Sequence, residues 1–104
     1  DFLILATVED TVIWEGQALN SNVIVDIKQI KRDSGKEIFN SRRLVGSQQG
    51  NSNKETVKAK ILFSTESAEN SQIHDDYKYS ISFKIDKGKT YKIDPKMRIV
   101  PPGN

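Results

Sequence analysis

Apolar and polar residues alternate along much of this chain. Val57, Ala59, Ile61 and Phe63 alternate with Lys58, Lys60 and Leu62. Tyr77, Tyr79, Ile81, Phe83 and Ile85 alternate with Lys78, Ser80, Ser82, Lys84 and Asp86. Successive side chains of a strand point to opposite faces, so a period of two sends one row into a core and the other into water. A helix would scatter Tyr77 to Ile85 around its circumference. Both segments are therefore predicted to be half-buried strands.

Other segments follow the same rule less cleanly. Leu3 to Trp14 is rich in apolar and β-branched residues and is broken at Glu9-Asp10, which predicts one long bent strand or two short ones. Val23, Val25 and Ile27 share a face, but Ile30 falls out of phase, which predicts a bulge or twist near Lys28-Gln29. Arg32-Asp33-Ser34-Gly35 is a turn and Lys36 to Val45 a return, so residues 22–45 read as a β-hairpin. Lys87-Gly88 marks a turn before Thr90 to Ile93, Asp94-Pro95 closes that piece, and Met97, Ile99 and Val100 make a last short strand. Residues 46–53 and 64–76 are polar loops, the second with room for a short turn at Glu66 to Asn70.

The expected fold is all-β, a small two-sheet β-sandwich of about seven antiparallel strands, with a small closed β-barrel as the alternative. Val25, Ile27, Phe39, Ile61, Phe63, Tyr79, Ile81 and Phe83 are the expected core. A chain of 104 residues with no linker or repeat reads as a single domain, 1–104. The longest purely apolar run, Phe2 to Ala6, is too short for a membrane-spanning helix.

Composition then narrows the chemistry. The chain has no Cys and one His, so disulfides, thiolate catalysis and zinc–sulfur sites are excluded. Lys and Arg number 16 against 14 Asp and Glu, a net charge of +2 that is small for a nucleic-acid binder. His74-Asp75-Asp76 is the most reactive-looking triplet, either a His base oriented by a carboxylate or a weak metal site with Glu66 and Glu69. Adjacent residues on an extended chain point apart, and no nucleophile elbow occurs, so a solvated loop is the better reading. Gly46 to Gly50 lacks the Gly-Lys-Ser/Thr ending of a phosphate loop and reads as a flexible connection. Lys58, Lys60, Lys78 and Lys84 lie on outward faces and would form one basic stripe if their strands were neighbours. Such a stripe could meet anionic lipid headgroups or nucleic acid, although the aromatics that stack bases have the opposite parity. A solvated face is the better reading, because lysine also protects β-edges from pairing. Trp14 is either a core plug or an exposed partner anchor. Arg32, Arg42 and Arg43 support no specific reading. No catalytic set, cofactor site or metal site emerges, so the expectation is a protein that is not an enzyme.

The order of strands from about residue 20 to 94 resembles a family. Asn22-Val-Ile-Val-Asp-Ile27, a glycine turn with its return, Val57 to Phe63, a polar loop, and Ile73-His-Asp-Asp-Tyr-Lys-Tyr-Ser-Ile-Ser-Phe-Lys-Ile85 look like the YscW and YbaY group of small bacterial lipoproteins. Members of the YscW branch are pilotins of type III secretion. The resemblance implies a lipoprotein of Gram-negative bacteria, held at the periplasmic face of the outer membrane through a lipidated Cys upstream of Asp1. It implies a secretin ring subunit as partner and a role in that subunit's targeting and assembly. The partner's short segment would add as a strand to a sheet edge or lie on an apolar patch. Ile13, Trp14 and the exposed side of Leu62 are the candidate partner-binding residues. The alternative is a small periplasmic or secreted inhibitor of a hydrolase, acting through one of the two polar loops.

Overall fold

The computed structural model describes residues 3–20 and 22–102. Glu9-Asp10 does break the first apolar run, giving β1 (Leu3–Thr7) and β2 (Thr11–Trp14). Glu9 adopts the left-handed conformation at φ 82°. Asp10 closes the corner on both sides: its Oδ2 accepts the Thr7 N–H at 3.0 Å, and its own N–H donates to the Thr7 carbonyl at 3.0 Å. The corner sends β2 into a different sheet from β1.

The hairpin over 22–45 is present as β3 (Val25–Ser34) and β4 (Arg43–Val45), with Ile30 opposite Leu44. Its turn comes later and its return is shorter than predicted: Arg32 to Ser34 still belong to β3, with Arg32 and Ser34 paired to β7, and residues 35–42 leave the sheet and drop Ile38 and Phe39 into the core. The remaining strands are β5 (Ser47–Gln48), β6 (Glu55–Lys60), β7 (Tyr77–Ile85), β8 (Thr90–Ile93) and β9 (Lys96–Val100). Among the described residues there are nine strands and no helix. The two strands beyond the expected seven come from two bent runs, β1–β2 and β4–β5, each of which passes from one sheet to the other.

The fold is a small β-sandwich. One six-stranded sheet runs β1-β9-β7-β3-β4, with β8 pairing β7 beside β9, and a three-stranded sheet runs β2-β6-β5. The two do not close into a barrel. The pairing is not wholly antiparallel, since β1 and β9 run parallel. The predicted bulge is real: the β3–β7 register slips between Ile27 and Gln29, which turns both Ile27 and Ile30 to the core.

Trp14, Phe39, Tyr77 and Tyr79 form the aromatic centre of that core. Trp14 lies edge-on to Phe39 and Tyr79, with ring centroids 5.7 and 6.0 Å apart. Its indole N–H donates to the Tyr79 hydroxyl at 3.4 Å. Trp14 is thus a core plug and not an exposed anchor. Phe63 departs from the expected core and is 50% exposed. Strand β6 ends at Lys60, and the Leu62 and Phe63 amides both turn onto the Ile38 carbonyl (2.8 and 3.3 Å), so the alternation stops before Phe63. The basic stripe is also corrected: β6 carries Lys58 and Lys60 in the small sheet, while β7 carries Lys78 and Lys84 in the large one.

Candidate functional site

Strands β3 and β7 run ten and nine residues, whereas β2 and β6 in the covering sheet run four and six. The inner face of the large sheet therefore outruns its cover. At that end Val25 pairs with Ile85 and Ile27 with Phe83, and on the other side of β7 Ile93 pairs with Ile81. These six residues floor a groove of ≈ 370 Å³. Trp14 to Ala18, the chain leaving β2, form its wall, and Val23 also lines it. A volume of this size is within the usual range of ligand and peptide pockets, and the lining is largely apolar.

The wall is held by its own chemistry. A Cβ on Gly16 would stand 2.2 Å from the Val25 Cγ1, so glycine lets wall and floor meet there. The Lys54 ammonium bonds the Gly16 carbonyl and the Glu15 carboxylate, both at 3.0 Å, which ties the wall to the start of β6. Beside the groove, Tyr91 stacks on Phe83 with centroids 5.6 Å apart. Among the described residues strand β8 pairs with β7 alone and its other edge is free, and Tyr91 (41%) and Ile93 (48%) are exposed along it.

The structure does not bring the three predicted partner-binding residues together. Trp14 starts the wall of the groove and is buried. Ile13 is exposed on the opposite face of β2, across from Lys58. Leu62 is exposed beyond the end of β6, beside the Ile38 carbonyl. The groove-forming Val25, Ile81 and Phe83 belong to the expected core and are half-buried; Ile85 and Ile93 are in neither the expected core nor the expected partner-binding set. The signal for the groove was the difference in strand length between apolar faces that must cover each other.

His74 has a structural task. Its Nδ1 lies 2.8 Å from the Thr65 hydroxyl, which also accepts the Ile99 N–H at 2.9 Å. Glu66 and His74 bridge as strands, and the Asp75 N–H donates to the Thr65 carbonyl at 2.8 Å. This closes the 64–76 loop on itself. Asp76 faces Arg98, whose Nε and Nη2 donate to its two oxygens at 2.8 and 3.0 Å. The Arg98 hydrogen bonds hold the Asp76 carboxyl below its usual range, against the opposing effect of burial. Among the described residues no group of three or more His, Asp or Glu is arranged to hold a metal ion. The Gly46 to Gly50 segment turns into β5 and pairs with β6.

No family model matches this sequence, and no curated protein matches it.

Proposed function

We propose that the chain is a pilotin-like accessory lipoprotein that holds an apolar segment of a type III secretion secretin subunit in this groove. The observation that carries the reading is an apolar groove open at one end of the sandwich, flanked by the free β8 edge. Such a site fits an extended or amphipathic peptide segment: apolar side chains fill the floor while backbone groups reach the unpaired strand. The strands that resemble the YscW group include β3 and β7, which supply most of the floor. A lipid anchor upstream of Asp1 would hold the complex at the periplasmic face of the outer membrane, with multiple acyl chains needed for stable attachment.

Deletion of the gene tests the reading. Secretin multimers are expected to disappear from outer-membrane fractions, with subunits left unassembled or in the inner membrane. Normal multimers in the outer membrane of the deletion strain would overturn it.

A further inference from the structure

The outer face of the six-stranded sheet carries an arrangement that the groove does not explain. Residues directly opposite each other in a strand pair share a face. Lys31 stands opposite Arg43, and Lys78 stands opposite Lys96. Like charges in facing positions destabilise a sheet, and this face holds two such pairs. Lys92, opposite Ser82, and Lys84, opposite Thr90, extend the same basic surface. Ser41 fixes the approach of Arg43 by bonding both its N–H (3.2 Å) and its carbonyl (2.6 Å).

The carboxylates at this face offset the charge in part. Asp33 and Asp94 both meet the Ser80 hydroxyl, and Asp26, opposite Lys84, accepts the Glu55 N–H. Among the described residues none of them forms a salt bridge with these six cations. The cations outnumber them, and they do so in a chain whose total charge is +2. Six of the sixteen Lys and Arg residues thus stand on one sheet face, away from the groove, without a salt bridge among the described residues.

We propose that this face docks on an anionic lipid surface, its cations meeting headgroup phosphates. Charge complementarity argues for a polyanion, and the apolar residues of the face decide which one. Leu5 and Val45, each 70% exposed, share the face at its two edges, opposite Arg98 and Gln29. Aliphatic side chains flanking a lysine-rich surface suit the headgroup–acyl boundary. Base stacking needs exposed aromatic rings, and the tyrosines of β7 and β8 all have the opposite parity. The inference does not rest on the pilotin reading, since the groove lies on the other face.

Vesicle co-sedimentation of the full chain tests it. Binding is expected to vesicles of mixed phosphatidylglycerol and phosphatidylcholine, to fall with added salt, and to be absent on phosphatidylcholine alone. Lys31→Gln with Arg43→Gln should weaken binding about twenty-five-fold, roughly five-fold for each charge lost near the surface. Lys58→Gln with Lys60→Gln removes the same charge from the small sheet and should change binding less than about two-fold. Equal losses in the two double variants would reduce the effect to net charge and overturn the proposal. So would no binding to the anionic vesicles. Displacement by inorganic phosphate at constant ionic strength would point to a free-anion site instead, and tighter binding to an oligothymidine than to vesicles would point to nucleic acid. Either result would also overturn it.

Discussion

Tyr77 and Tyr79 are neighbours in the core with opposite hydrogen-bond fates. Both are fully buried and their rings stack with centroids 5.1 Å apart. The Tyr79 hydroxyl accepts the Trp14 indole N–H, whereas among the described residues the Tyr77 hydroxyl has no partner. Burial raises the Tyr77 phenol well above its usual value, with Glu37 adding to the effect, and burial raises Tyr79 as well. An unpaired buried hydroxyl costs about 1–3 kcal/mol. Tyr77→Phe should therefore raise stability by about 1 kcal/mol, while Tyr79→Phe strands the indole N–H and should lower it by about 1 kcal/mol. Urea denaturation midpoints check this, and a fall in both variants would contradict the assignment. Asp76 gives a pH dependence of definite sign. Its folded-state value is depressed by Arg98, so its contribution is complete above the unfolded carboxylate value of about 3.9 and is lost as pH falls through the lower folded value. The pair is bidentate but Arg98 is 40% exposed, so Asp76→Asn should cost about 1 kcal/mol at neutral pH. That difference from the wild type should shrink toward zero in acid.

At the scale of elements, the molecule depends on how strands change sheets. Gly46 stands between β4, which pairs with β3, and β5, which pairs with β6. Its N–H donates to the Lys28 carbonyl at 2.8 Å, and a Cβ there would lie 1.8 Å from the Ile27 carbonyl oxygen. The obstacle is backbone, which has little freedom to move. Gly46→Ala should cost about 3 kcal/mol, the upper end for overpacking, and show as a lower thermal midpoint with the fold retained. This crossing was not legible in the sequence, where Gly46 opens a polar stretch and looks like a loop. Alternation did reveal β6 and β7, and the phase slip at Ile30 revealed the bulge, because both are local consequences of which side chains face the core. Sheet membership was hidden, since Lys58 and Lys78 have the same parity within their own strands. The turn after β7 falls at Asp86-Lys87, one residue ahead of the Lys87-Gly88 pair that marks it in the sequence. Asp86 and Lys87 take the positive φ values of 52° and 61°, and Gly88 donates to the Ile85 carbonyl at 2.9 Å. Asp86 offsets that strain by accepting the Ile24 N–H at 2.8 Å.

The whole molecule is elongated, 48 × 25 × 24 Å, with a Cα radius of gyration of 14.8 Å against about 13 Å for a compact domain of this length. Its extension follows from one large sheet outrunning a small one, and the groove is the uncovered remainder. Local alternation marked Val25 and Phe83 as core because it reports a face, not whether anything covers that face. The groove thus separates two sets of apolar residues that the sequence treats alike. Ile85 and Ile93 are exposed at its floor, at 38% and 48%, while Ile13 and Leu62 are exposed at 59% and 40% elsewhere. Aspartate at any of the four should change stability by less than about 1 kcal/mol, since these side chains are already partly solvated. A charge in an apolar groove must be desolvated when a ligand enters, whereas a charge outside it stays in water. On the proposed pilotin reading, Ile85→Asp with Ile93→Asp should therefore abolish capture of the secretin segment from detergent extracts, and Ile13→Asp with Leu62→Asp should leave it intact. Capture surviving the first pair and failing with the second would move the binding surface to the outer face of the small sheet and leave the groove without its proposed occupant.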